Sequence, residues 1–508
     1  MSEHSIRDVV IVGGGTAGWM AAAALVRLLD QRSIKITLVE SDEIGTIGVG
    51  EATIPPIIAY NNMLGINEDE FLAATKATFK LGVEFVDWGA IGERYFHPFG
   101  PYGQDFRGVH FHQIYLRESR LRELDSIASW SMSSAAAALG RYARPEPNAP
   151  LPLSQLGYAF HFDAGLYARF LRDMAERQGV RRIEGKVLDA TLGGSTGNVQ
   201  SLELADGQRI AGDLFIDCSG FRGLLIEDKL GSGYEDWSHW LPCDRAVAVP
   251  SQYSGQPDPF TRSTARAAGW QWRIPLQHRM GNGMVYASDH LSDADAEALL
   301  LANLDGEPVA EPRRLSFKAG RRRLAWNSNV VSLGLSSGFV EPLESTSIHL
   351  IQSGIVKLLA LFPDRRFDPV ERDEYNRQMQ DVYEDARDFI ILHYKATRRE
   401  DSEFWNYCRT MEVPDSLERK LELWRAKGRL FRDQRELFGT PSWVAVLLGQ
   451  GIVPEETEPA ADALDPKMIS DALDKMRLSY RHMAEHMPMH GDYVASICAR
   501  AAGSRRSV

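Results

Sequence analysis

Cysteine is scarce: the 508 residues hold only four, Cys218, Cys243, Cys408 and Cys498. They lie far apart and none forms a C-x-x-C pair. That argues against a disulfide framework or a thiolate zinc site, and it fits a reducing cytoplasm. Long apolar runs are also missing. No uninterrupted stretch reaches the ~20 residues that a membrane span needs, and the chain runs straight into Val9-Val10-Ile11-Val12 without a basic segment and a cleavable apolar stretch. An excess of positive charge is absent as well. The formal net charge is -12, which argues against nucleic acid and against an anionic membrane surface as partners. The one local exception is Arg321-Arg322-Arg323, for which a solvated strand edge or a place beside a bound phosphate is the simpler account. Internal repeats and long low-complexity segments are lacking too. What is present is ordinary globular composition, 44% hydrophobic and 25% charged, in a chain long enough to predict two lobes or more.

The N-terminus predicts a strand–loop–helix–strand unit. Asp8 to Val12 is a continuous apolar run of the kind a buried parallel strand needs. A glycine-rich turn follows, then an Ala- and Leu-rich helix from Trp19 to Leu29 and a second strand from Ile34 to Glu40. Asp163 is placed to cap a helix from about Ala164 to Gln178. From about residue 196 the pattern turns antiparallel: Val199 to Leu204 alternates, Asp206-Gly207 predicts a hairpin turn, and Asp213 to Asp217 is another buried strand. Val330 to Leu333 predicts one more strand, and beyond about residue 360 the chain is helical and charged. The expected organisation is an α/β lobe over 1–360 and a helical lobe over 361–508 that completes a substrate site.

Gly13-x-Gly15-x-x-Gly18, with Glu40 at the end of the following strand, is the first motif that carries chemistry. Its glycines allow a tight turn and let a pyrophosphate approach the helix N-terminus, with Thr16 and Ala17 inside the same turn; Glu40 can hydrogen-bond a ribose hydroxyl. With strand, helix and acid all in place, this is a strong dinucleotide signal, although it does not separate FAD from NAD. A second segment, Asp213 to Gly220, ends an apolar strand in a small-residue turn that permits close approach to a flat ligand.

Three further segments occur together: Gly269-Trp270-Gln271-Trp272-Arg273-Ile274-Pro275, Gly334 to Thr346 with the run Phe339-Val340-Glu341-Pro342-Leu343-Glu344-Ser345, and Thr78-Phe79-Lys80-Leu81-Gly82. With Gly48-Val49-Gly50-Glu51-Ala52-Thr53-Ile54-Pro55 they make the chain resemble the flavin-dependent halogenases, most closely the tryptophan halogenases, over nearly its whole length. The resemblance implies an FAD-dependent monooxygenase-like fold, a dinucleotide-binding βαβ unit plus antiparallel sheet. It also implies halogenation driven by reduced FAD, oxygen and chloride or bromide, with hypohalous acid passing through the interior to an aromatic substrate.

The resemblance assigns roles to residues. Lys80 is the expected catalytic amine, which would hydrogen-bond hypohalous acid or form a haloamine; burial suits it by freeing the amine. Glu344 is the second catalytic candidate, able to polarise the halogen donor, stabilise positive charge on the ring or take its proton. Thr346 and Ser347 map onto the residues whose backbone amides hold the halide. The family usually has glycine at Ser347, so bromide stands beside chloride as a candidate. Gly50, Ala52, Val187, Leu335 and Ile348 map onto flavin-loop or flavin-contact positions. Trp270 and Trp272 map onto a steric barrier between flavin and substrate, with core packing as the alternative. His97 and Phe99 resemble the stretch that flanks the substrate ring.

The C-terminal part departs from the free-tryptophan enzymes: the paired tyrosines and glutamate that grip an amino-acid head group are not found, and Ser442-Trp443-Val444 stands instead. Specificity for a charged head group needs partners built for it. The expected substrate is therefore an indole-like or other electron-rich aromatic, with Trp443 a pocket wall. No nicotinamide site is evident, so a separate flavin reductase is expected to supply reduced FAD by diffusion. Oligomeric state is left open, with a homodimer as one candidate. His482-Met483-Ala484-Glu485-His486 matches an inverted zinc-protease motif, but a third ligand is missing and a helix surface is the simpler account. The competing functions are an aromatic hydroxylase, a non-catalytic flavoprotein and an NAD-linked dehydrogenase. Monooxygenases usually carry an aspartate where Leu335 follows Gly334, and none of the three explains Lys80 together with the two tryptophans.

Overall fold

The computed structural model of the chain describes residues 3–43, 50–146, 148–149, 151–194 and 196–504. A six-stranded sheet carries the dinucleotide unit, in the order Trp326–Asn327, Val330–Ser332, Leu214–Asp217, Asp8–Val12, Lys35–Glu40 and Arg181–Glu184. Its strands are parallel except for the Trp326–Asn327 edge. Val9 to Val12 are all buried, as a strand covered on both faces requires. The helix Thr16–Leu28 packs close to the first strand. A Cβ on Gly18 would meet the Gly13 carbonyl oxygen at 1.9 Å, so only glycine permits that approach. Asp163 caps the helix Ala164–Arg177 by accepting from the Leu166 amide, a contact worth about 1 kcal/mol.

The hairpin at Asp206-Gly207 joins Val199–Leu204 to Arg209–Ala211, with Gly207 alone of the two at positive φ. Leu214–Asp217 then leaves the antiparallel pattern and enters the parallel sheet. A seven-stranded sheet follows the order Arg313–Ser316, Arg245–Ser251, Met280–Tyr286, Gly269–Pro275, Thr261–Arg266, Gly82–Val86 and Arg94–Pro98. A three-stranded sheet, Gly50–Ala52, Ala159–Asp163 and Thr78–Lys80, carries the lysine strand at one edge and touches the seven-stranded sheet. From Ser347 onward the described elements are all helices, the longest being Pro369–Lys395. One of them, Thr440–Gly449, packs on the Arg94–Pro98 strand. A Cβ on Gly449 would fall 2.3 Å from the Tyr95 ring. One buried apolar cluster includes residues from Ile6 to Ile497.

Of the arginine run, Arg323 is exposed but the other two are not. Arg321 and Arg322 are each 7% exposed and pair with Glu235 and Glu227 at 2.7 Å. Burying a guanidinium is costly unless it is paired, and these acids lie about ninety residues upstream.

Candidate active site

A cavity of about 570 Å³ opens beside the parallel sheet. Gly13, Gly15, Thr16, Ala17, Glu40, Ala52, Val187, Leu335 and Ile348 all line it. Gly15 is the N-cap of the helix Thr16–Leu28 and makes no side-chain cap bond, so the first amides of that helix point toward the cavity with their dipole. A Cβ placed on Gly15 would meet nothing within 4 Å, whereas one on Gly14 would run into Glu40. The cavity side of the turn is therefore open and the protein side is full, as a cradle for a pyrophosphate must be. Glu40 pairs with Arg182 at 2.5 Å and Arg172 at 3.6 Å. Those bonds use Oε1, while Oε2 lies against the Gly14 turn. Gly50 pairs with Asp163 at the start of its short strand; Gly48 and Val49, the preceding part of the flavin-loop segment, lie outside the described residues.

Trp270 and Trp272 also line this cavity. Trp270 Nε1 donates to Glu341 Oε2 at 2.7 Å, and the Tyr394 hydroxyl donates to the same oxygen at 2.6 Å. Burial pushes the Glu341 carboxyl up to about 7, against the opposing effect of those two donors. The Trp270 ring is thus fixed by a hydrogen bond as well as by packing. Ser347 lines the cavity too, at the start of the helix Ser347–Ala360. Thr346 precedes it, buried, with its hydroxyl lacking a partner and making no cap bond. A helix start whose amides have no side-chain cap is a site where an anion fits.

Lys80 is the last residue of the Thr78–Lys80 strand and is fully buried. Its Nζ donates to the Thr53 carbonyl oxygen at 3.0 Å and to Ser345 Oγ at 2.8 Å. Burial lowers its pKa to about 7, with the charge of Glu344 pulling the other way. Ser345, a cavity-lining residue, holds a left-handed backbone at φ 60°. One hydroxyl therefore touches the amine while its residue faces the dinucleotide cavity. The Phe99 ring stands 5.1 Å from Nζ.

Glu344 is wired to two histidines. His97 Nδ1 approaches both carboxylate oxygens, at 2.9 and 3.0 Å. His393 Nε2 lies 2.8 Å from Oε1, off the line of a good hydrogen bond. Its Nδ1 meets the Tyr95 hydroxyl at 2.9 Å. Burial alone would raise the Glu344 pKa, but the two imidazoles hold it down to about 2. His97 thus serves Glu344 first. Around it stand aromatic rings: Phe99 at 6.4 Å, Phe389 at 5.8 Å and Phe438 at 6.4 Å. Phe389 stacks on Phe438 at 3.8 Å and takes the edge of Trp443 at 5.3 Å.

Gly18 acts in helix packing, and the remaining motif residues divide between the cavity and the buried amine. Sequence reasoning missed His393, Phe389, Phe438, and the roles of Ser345 and Glu341. His393 could have been suspected, as a histidine in an otherwise apolar helix stretch, Phe389-Ile390-Ile391-Leu392. The zinc-like motif is a helix surface: His486 Nδ1 donates to the His482 carbonyl, Glu485 pairs with Arg481, and the histidines are exposed.

Fold and site define a dinucleotide-binding α/β protein in which a buried amine stands one serine away from the cofactor cavity. The tryptophan halogenase family pattern matches residues 8–466. Tryptophan 6-halogenase SttH of Streptomyces toxytricini is 36% identical, covering 98% of this chain and 100% of its own. Among solved structures, BrvH, a flavin-dependent halogenase from Brevundimonas sp. BAL3, superposes with a TM-score of 0.94 at 49% identity, over 97% of this chain and 99% of its own. Xcc4156, a flavin-dependent halogenase from Xanthomonas campestris, gives 0.94 at 48% with the same coverage. The chain belongs to the tryptophan halogenase family and is a flavin-dependent halogenase that uses reduced FAD and a halide. Among the described residues no helix is long and apolar enough to cross a membrane.

Proposed function

We propose that the chain halogenates an indole-like, electron-rich aromatic that lacks a free amino-acid head group, with Lys80 delivering the halogen. The observation that carries this is the buried Lys80 amine, bonded to the cavity-lining Ser345 and facing Phe99. The Gly13–Ala17 turn, Glu40, Leu335 and Ile348 would hold reduced FAD, which would give two electrons to oxygen while the halide gives two more, so that the products are oxidised FAD, water and hypohalous acid. Thr346 and Ser347 would hold the halide at their helix start. Trp270 and Trp272 would keep the substrate on the far side.

Lys80, with a pKa near 7, offers free amine and ammonium in comparable amounts at neutral pH. The amine can accept halogen, and the ammonium can hold hypohalous acid by a hydrogen bond. Of the three roles open to Glu344, stabilising positive charge on the substrate ring fits best. A carboxylate held at about 2 is a weak base but a fixed negative charge in a dry site. The wall of Phe99, Phe389, Phe438 and Trp443 suits a flat aromatic. The reductase that supplies reduced FAD is a separate, freely diffusing protein in this reading.

The test is mass spectrometry of indole and of free tryptophan incubated with the protein, FAD, a flavin reductase, NADH and oxygen, with chloride and bromide supplied separately. Halogenated indole, lost by roughly a thousandfold in Lys80→Ala with flavin affinity unchanged, is the expected result. Comparable turnover of free tryptophan would defeat the substrate assignment. A hydroxylated product would defeat the assignment to Lys80.

A further inference from the structure

The strand that carries Lys80 is only three residues long, and a strand so short cannot hold a side chain in place by itself. On one edge it pairs with Ala159–Asp163 through Thr78–His161 and Lys80–Ala159. On the other edge it faces Pro257-Asp258-Pro259, a segment in which two of three residues have no amide hydrogen. Leu81 donates directly to the Pro259 carbonyl at 2.7 Å. The rung before it is made differently. The Phe79 amide donates to His490 Nε2 at 3.0 Å, and His490 Nδ1 donates to the Pro257 carbonyl at 2.8 Å. One imidazole thus spans a gap that backbone would bridge elsewhere. Only the neutral ring with its proton on Nδ1 can make both bonds. Burial favours that form, pushing the ring down to about 4.

His490 opens the helix His490–Ser504, is fully buried, and is itself tied down by its amide to the Gly140 carbonyl at 2.9 Å. The Phe79 ring is held on the same side, stacked on Tyr142 at 4.0 Å. His490 also lies beyond residue 466, where the family match ends.

We propose that His490 is a positioning residue for Lys80: its imidazole completes the hydrogen-bond ladder on the open edge of the lysine strand and so sets Nζ against Ser345 and Thr53. This rests on the assignment of halogen delivery to Lys80. It makes the last helix part of the reaction machinery without any contact to cofactor or substrate. A misplacement of about 1 Å in such a group costs on the order of a hundredfold in rate.

The experiment compares His490→Leu, His490→Gln and Lys80→Ala in the full chain, with indole, FAD, a flavin reductase and halide. Two quantities are read at once: halogenated indole, and hypohalous acid escaping to a 1,3-diketone trap. Leucine removes both bonds, and glutamine can restore both through its amide. Expected for His490→Leu is a loss of halogenated indole of at least roughly tenfold, with trapped hypohalous acid undiminished and FAD affinity unchanged. His490→Gln should recover to within about threefold of the parent. A merely structural residue would lower product and trapped acid together, and that result would overturn the proposal, as would parental product from His490→Leu. If His490→Leu does not fold, His490→Asn takes its place, since its amide is too short to bridge the gap; the same split supports the proposal and parental product overturns it. Lys80→Ala separates the two levels. Full product there removes the lysine assignment, and the proposal with it. Product lost in Lys80→Ala but kept in His490→Leu removes His490 alone.

Discussion

The dinucleotide cavity and the surroundings of Lys80 lie on either side of Ser345 and are built on opposite terms. The cavity is hollow, with a glycine turn at Gly13 to Gly15 beside apolar and aromatic walls, and with helix amides uncapped at Gly15 and Thr346. The Lys80 side is filled: the amine is bonded twice, Glu344 is clasped by two histidines, and aromatic rings close the rest. A large rigid cofactor brings its own reactivity and needs room and unpartnered donors. A small reactive halogen species has no handle, so every group near it must be fixed beforehand. The first region is therefore expected to lose ligand affinity when altered, and the second to lose rate.

The sharpest test of that division is Glu344→Gln. It removes the fixed charge while keeping the side-chain shape, so halogenation should fall about a hundredfold with FAD affinity unchanged, as measured by product rate and flavin titration. A matching loss of flavin binding would erase the distinction. Gly15→Leu probes the other side. Its Cβ meets nothing within 4 Å, and its φ of -73° is ordinary, so the cofactor-free fold should keep its melting temperature. FAD affinity should weaken about tenfold or more, ~1.4 kcal/mol at the lower bound. Unchanged affinity would show that the cradle lies elsewhere.

The smallest effect expected is on stability. The folded Lys80 pKa near 7 lies below the ordinary lysine value. Between about pH 7 and 10.4 the unfolded chain holds a proton that the folded one has released, so stability rises with pH across that window. Below it the full cost of burying the ammonium is present. Lys80→Met should therefore raise the melting temperature by about 2–4 °C at pH 6, with a shrinking gain toward pH 10, while abolishing halogenation. A loss of stability at pH 6 would mean that the bonds to Thr53 and Ser345 outweigh the buried charge.

The dinucleotide unit was legible because its signals are local: a buried strand, a glycine turn and an acid at fixed spacing need no distant partner. Helix and strand limits followed to within a few residues for the same reason, as at Asp8–Val12 and Ala164–Arg177. The catalytic side was legible only through motif resemblance, since its contacts join residues remote in sequence. Glu344 meets His97 across 247 positions, and Phe79 meets His490 across 411. The same distance hid the burial of Arg321 and Arg322, which look solvated until Glu235 and Glu227 are folded against them.

Three of the four rings of the aromatic wall come from a different part of the chain than Lys80 and Phe99. Phe389, Phe438 and Trp443 sit on segments after residue 368, while Lys80, Phe99 and the Glu344–Ser347 turn come before it. Substitutions that reshape the wall can therefore accumulate without disturbing the reactive lysine. An engineer seeking new substrates would randomise 389, 438 and 443 and leave the rest alone, and a lineage drifting between substrates could take the same route.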